Sequence, residues 1–141
     1  MELKRIHSSS VVIDDNGVLI LGRSGSGKSD LALRLIDTGA TLISDDVSIC
    51  KKKSNDVYLF CPSQTRGLLE VREIGIITVP FVEKIKLRLV VKLTGNKTDR
   101  TPKTNFFKIL GVKLPLLKID GKNSSAVVKV KVKLNEIREE I

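Results

Sequence analysis

Between Gly22 and Ser29 the chain reads Gly-Arg-Ser-Gly-Ser-Gly-Lys-Ser, which satisfies the Walker A spacing G-x-x-x-x-G-K-[ST]. That spacing serves phosphate binding. Gly22, Gly25 and Gly27 let the backbone wrap closely, with Arg23, Ser24 and Ser26 between them, so that N–H groups point inward at a β-phosphate. Lys28 reaches β/γ oxygens as a point charge, Ser29 offers a hydroxyl to Mg²⁺, and a helix starting at Ser29 adds the positive end of its dipole. Asp45-Asp46 follows, its second residue 18 positions beyond Lys28. Adjacent carboxylates beside a γ-phosphate suit two jobs, a general base toward an acceptor hydroxyl and an orienting or metal-linked partner. The bland alternative is a solvated turn or a helix N-cap. Three further residues carry two readings each. His7, the one histidine, is either a surface residue or an active-site group. Glu70 is a solvent-facing strand residue or a Mg²⁺ partner, and Arg100 is a phosphate clamp or a loop solubiliser.

Elements at either side must hold these groups. Val11–Ile13 and Val18–Leu21 are β-branched or aliphatic runs flanking Asp14-Asp15-Asn16-Gly17, whose Asn-Gly step signals a hairpin turn. The second run leads into Gly22. Leu31, Leu35 and Thr38, reinforced by Ala32 and Leu33, recur at helical spacing, and Gly39 sits where a helix end favours a left-handed residue. Residues 41–44 read as the next strand, ending at the Asp pair, so the carboxylates and the phosphate loop are expected at the ends of neighbouring parallel strands. Residues 47–51 and 57–60 form a second strand pair around a polar turn at 53–56. Residues 74–79 and 85–93 are strand-like, and 94–105 form a polar loop long enough to be a mobile part of the active site. In the tail, Val128, Val130, Val132 and Leu134 alternate as in a strand, while Val127, Val130, Leu134, Ile137 and Ile141 fit a helical stripe. Ser124 and Ser125 as N-cap candidates favour the helix.

Composition sets the outer bounds. With 141 residues, 41% hydrophobic and 29% charged, 10 Gly and 4 Pro, this is one globular α/β domain spanning 1–141, neither disordered nor fibrous. Residues 1–50 carry 5 Lys/Arg against 7 Asp/Glu, whereas 51–141 carry 20 against 9, so the +9 surplus lies in the later part. Such asymmetry invites a nucleic-acid reading, but Trp is absent and aromatics are only 4%, which removes the stacking platforms of single-strand binders. No nucleic-acid partner is expected. No apolar run approaches the roughly 18–20 residues of a membrane span, and Met1–His7 lacks a signal-peptide core, so the expectation is a soluble cytoplasmic protein without a membrane partner. Cys50 and Cys61 lack metal-site spacing and read as buried thiols.

Taken in order, His7, the Gly22–Ser29 loop, Asp45-Asp46 and Leu68-Leu69-Glu70-Val71-Arg72-Glu73-Ile74-Gly75-Ile76-Ile77 resemble the catalytic domain of HPr kinase/phosphorylase, over about His7 to Asn123. The resemblance implies a P-loop kinase core with a mixed sheet, similar to the nucleotide-binding domain of phosphoenolpyruvate carboxykinase. It implies transfer of a phosphoryl group from ATP, with Mg²⁺, to a serine of the phosphocarrier HPr or an HPr-like protein, and the reverse phosphorolysis. By the same resemblance, His7 and Lys28 belong to the active site, Asp46 exchanges the proton, Ser29 and Glu70 hold Mg²⁺, and Arg100 is the catalytic arginine. Asp120-Gly121-Lys122-Asn123 looks like the segment used in dephosphorylation, with Lys122 replacing an arginine. Glu73 departs from the family's glycine at that point. The chain resembles the short form, without the separate N-terminal domain, and the family resemblance implies a homo-hexamer. Two other functions fit the same loop: a P-loop kinase on another acceptor, and a nucleotide-binding regulatory module without turnover.

Overall fold

The computed structural model describes residues 2–95 and 105–139. Eleven strands and two helices account for most of them: β1 (Leu3–His7), β2 (Ser9–Ile13), β3 (Asn16–Leu21), α1 (Lys28–Asp37), β4 (Thr41–Ser44), β5 (Val47–Lys53), β6 (Asp56–Phe60), β7 (Leu68–Val71), β8 (Gly75–Thr78), β9 (Lys84–Leu93), β10 (Asn105–Ile109), β11 (Val112–Ile119) and α2 (Ala126–Glu139). Nine strands make one mixed sheet, seven of them in the order β1-β5-β6-β9-β3-β2-β4 with β11 added on β9 and β10 on β11, and β7-β8 is a separate ribbon. At its centre β9 runs parallel to β3; along its other edge it pairs antiparallel with β6 near Lys84–Lys86 and parallel with β11 over Val90–Leu93.

Strand direction gathers the site at one end. Because β2 is antiparallel to both β3 and β4, those two strands run the same way with β2 between them. The phosphate loop and the Asp pair therefore stand at the same edge, but not on adjacent strands as the sequence suggested. The parallel partners β9 and β11 also end there, bringing in Leu93 and the 120–123 segment. Strand β1 delivers His7 to the start of β2 at that same edge.

Alternation along the strands builds two cores, one on each face of the sheet. Val18 and Ile20 of β3 face Leu31, Ala32 and Leu35 of α1, Leu69 of β7, and Val130 and Leu134 of α2. Leu19 faces the opposite core with Leu59, Leu87, Val90 and Ile109. The turn after β2 differs from the expected Asn-Gly one. Asp14 and Asp15 occupy it, with φ of 47° and 63°, while Asn16 pairs with Ile13 and its side-chain amide donates to the carbonyls of Ile13 and Asp14. Gly17 is needed for another reason: a Cβ there would lie 2.6 Å from the Lys86 carbonyl oxygen of β9. The tail is helical from Ala126, with Val130 and Leu134 buried and Val128 and Val132 on the solvent side, which explains the competing alternation in sequence. Strands β10 and β11 carried no clear strand signal, and Pro115 stands within β11 opposite Phe106. It precedes the Leu116–Ile119 stretch that pairs with β9, so its missing N–H leaves that ladder intact.

Candidate active site

Gly22 follows directly on β3, and the loop turns through Gly25 and Gly27, at φ of 80° and 98°, before α1 begins at Lys28. A Cβ on either glycine would meet nothing within 4 Å, so the positive φ rather than crowding calls for glycine at these two positions. A glycine-rich turn opening a helix suits a phosphate. Gly22 is constrained by contact instead: a Cβ there would collide with the Ser26 side chain and lie 3.2 Å from Leu93 Cβ. The Ser26 hydroxyl is buried without a hydrogen-bond partner among the described residues. Lys28 is buried, and its Nζ donates to the carbonyls of Gly22 and Arg23, both at 3.0 Å. An ammonium has three donors, so one is left for a ligand in front of the loop.

The two carboxylates of the Asp pair have separate environments. Asp45 is buried, and its Oδ1 accepts from Ser9 Oγ and Ser29 Oγ, each at 2.7 Å, while Oδ2 accepts from the Glu70 amide at 3.1 Å. It ties β2, the phosphate loop and β7 together. Asp46 takes the left-handed conformation at φ 73°, and its carbonyl accepts from the Ser8 amide at 2.9 Å. Its side chain is 77% exposed and meets His7 Nε2 at 2.9 Å. The backbone and side-chain bonds together lock the β1–β2 junction to the end of β4.

His7, Ser9, Lys28, Ser29 and Asp46 share a cleft of about 650 Å³ with Ser24, Gly25, Glu70 and Lys122. Glu70 reaches it from β7, where it stands across from Ile76 of β8. Glu73, at φ 74° in the ribbon turn, also lines the cleft. The structure thus brings together His7, Lys28, Ser29, Asp46 and Glu70; Gly22, Arg23 and Ser26 do not line the cleft. Arg100 and most of the 94–105 loop lie outside the described residues. Ser9 was missed in the sequence, although the Ser8-Ser9-Ser10 triplet directly before an apolar strand was its signal. All three serines are buried, and Ser10 Oγ lies 2.9 Å from Ser48 Oγ.

The donor set is hard and oxygen-rich: the Ser29 hydroxyl, the Asp45 carboxylate behind it and the Glu70 carboxylate in front. That chemistry suits Mg²⁺. No group of three or more His, Cys, Asp or Glu able to hold a metal alone occurs among the described residues.

The family model for the HPr serine kinase C-terminal domain matches residues 1–140. The chain belongs to the HPr serine kinase C-terminal domain family. Among relatives, the HPr kinase/phosphorylase of Malacoplasma penetrans is 32% identical over 89% of this chain and 47% of its own length. That of Lactobacillus acidophilus is 35% identical over 89% of this chain and 44% of its own. The chain thus spans less than half the length of these relatives. Among solved structures, the Hpr(Ser) kinase/phosphatase from Coxiella burnetii matches with a TM-score of 0.85 at 30% identity, covering 98% of this chain and 99% of that one. The HPr kinase fold expected from the motifs, a P-loop core on a mixed sheet, is the fold observed.

Proposed function

We propose that this chain is a protein-serine kinase of the HPr kinase/phosphorylase type, using ATP and Mg²⁺ to phosphorylate a serine of HPr or an HPr-like phosphocarrier in the cytoplasm. The observation that carries the reading is the His7–Asp46 pair, 2.9 Å apart and opening onto the same cleft as the phosphate loop. In the forward direction Asp46 takes the proton of the incoming serine hydroxyl, and His7 holds the carboxylate in position. Lys28 binds phosphate oxygens, and the loop amides orient them without reorganisation at the moment of transfer. Ser29 and Glu70 would hold Mg²⁺, which when bound supplies neutralisation of phosphate charge. Arg100 completes the proposed set as a second cation at the transferred group. In the reverse direction Asp46 returns its proton to the serine oxygen as inorganic phosphate attacks phosphoserine and gives pyrophosphate.

A homo-hexameric assembly and the absence of nucleic-acid and membrane partners belong to the same reading. No described helix is long and apolar enough to cross a membrane. One observation favours a second reading. Glu73 puts a carboxylate into the cleft wall where the family motif has glycine, which fits a nucleotide-binding module without turnover.

Incubating the chain with HPr, Mg²⁺ and ATP and weighing HPr intact separates these readings. The kinase reading expects the mass of one phosphoryl group. It also expects Asp46→Asn to slow transfer by about 10²–10⁴-fold with ATP binding retained. ATP binding with no mass gain on HPr leaves a kinase for another acceptor, which an acceptor screen would find, or the regulatory module, for which D46N changes nothing beyond ATP affinity.

A further inference from the structure

Arg34 lies one helical turn beyond Asp30 on α1 and reaches the segment that follows β11. Its Nε donates to Asp30 Oδ2 at 3.1 Å, Nη1 to the Asn123 carbonyl at 3.4 Å, and Nη2 to the Gly121 carbonyl in a close contact. Those two carbonyls flank Lys122, which lines the cleft together with the phosphate loop. The opposite side of the segment is fixed by packing. A Cβ on Gly121 would lie 2.8–2.9 Å from the Leu93 methyls, and Leu93 also packs against Gly22, the first residue of the loop. Within the segment Asp120 accepts from the Lys122 amide at 3.0 Å, and Asn123 accepts from the Ser125 amide and hydroxyl. The segment is therefore gripped between the phosphate-loop helix and the root of the loop itself.

We infer that Arg34 is a positioning residue, which sets where the Lys122 ammonium stands relative to the phosphate loop. A planar guanidinium with five donors in a fixed fork can hold a carboxylate and two carbonyls at once; a single ammonium cannot reproduce that geometry. Asp30, directly after the Mg²⁺-directed Ser29, orients the fork. Any shift of α1 on phosphate binding therefore moves Lys122 with it. The inference rests on reading the cleft as a phosphate site.

Calorimetric titration of Mg·ATP into the unaltered chain, R34M, K122M and the double variant tests it. Each single change is expected to weaken binding by about tenfold, the scale of one hydrogen bond to a charged group. The double variant should bind no worse than either alone, because Arg34 acts through Lys122. R34K should recover only part of the loss, and all variants should melt cooperatively. Multiplying losses in the double variant, or an R34M chain that binds as tightly as the parent, would overturn the proposal. Amide hydrogen exchange without ligand gives a readout independent of ATP. In R34M the amides of Lys122 and Asn123 should exchange at least tenfold faster, and unchanged rates would equally overturn it. A parent chain that fails to bind Mg·ATP defeats the kinase reading, while the exchange result still decides the role of Arg34.

Discussion

Asp45 accepts three hydrogen bonds from Ser9, Ser29 and the Glu70 amide in a buried setting, whereas Asp46, one residue on, turns its carboxylate into the cleft beside His7. The left-handed backbone at Asp46 produces that divergence, since it breaks the strand after Ser44 and sends consecutive side chains to unrelated surroundings. Asp45→Ala should therefore act chiefly on stability. It leaves two hydroxyls and an amide without their acceptor, a loss on the order of 3 kcal/mol, visible as a lower urea midpoint. Asp45→Asn keeps the volume but replaces one carboxylate oxygen by a donor, and should cost less. Asp46→Asn, by contrast, should leave the midpoint within about 0.5 kcal/mol of the parent, as expected for an exposed side chain. At this scale the two residues are alike in sequence and only burial distinguishes them.

At the scale of elements, the β7–β8 ribbon carries a strained turn near the site. Glu73 holds φ 74° in the turn, where glycine would sit without a side-chain penalty. Glu73→Gly should raise stability by roughly 0.5–1 kcal/mol, read as a higher melting temperature, and should tighten Mg·ATP by removing a carboxylate from the cleft wall. A lower melting temperature would show that the side chain is held by contacts outweighing the backbone strain. Ribbon and α1 depend on each other, because Leu69 and Val71 are buried in the core that holds Leu31 and Leu35. The helix itself was legible, with Leu31, Ala32 and Leu35 buried and Gly39 at φ 114° after its end. The hairpin turn was misplaced by two residues because Asp-Asp and Asn-Gly both tolerate positive φ. What chose between them was the close approach of β9 to Gly17, a contact made some 70 residues away in the chain.

For the whole molecule, part of the positive charge gathers on one face. Arg5, Lys51, Lys53, Lys84 and Lys86 fall on the open face of the β1-β5-β6-β9 limb, with Tyr58 and Phe60 among them. Lys51 lies 4.5 Å from the Phe60 ring centroid and Lys84 lies 4.9 Å from that of Tyr58, so the cations cover the rings. Among the described residues, Lys122 is the one lysine of the later half that lines the cleft. Beneath that limb Cys50 is fully buried, and burial pushes its thiol from its ordinary value of 9.0 up to about 11, against a smaller opposing effect of Lys4. The folded chain thus keeps a proton that the unfolded chain releases. Stability is unaffected by this group below pH 9 and is lost as pH rises from 9 toward 11. Urea midpoints at pH 8.5 and 10.5 should fall more steeply for the parent than for Cys50→Ala; equal slopes would remove the thiol from the account.

The phosphate loop, the helix after it and the family motif around Glu70 were readable from the sequence, because their chemistry depends on residues close together in the chain. Glycine spacing dictates a backbone cradle, and a 3.6-residue apolar period dictates a helix, wherever the rest of the chain lies. The tertiary structure alone decided the rest. It put β2 between the loop strand and the Asp strand, gave Asp45 the buried role and Asp46 the open one, and set Arg34 against the carbonyls beside Lys122. Each of these depends on strand order and burial, which arise from contacts between distant segments and leave no local period or spacing to read.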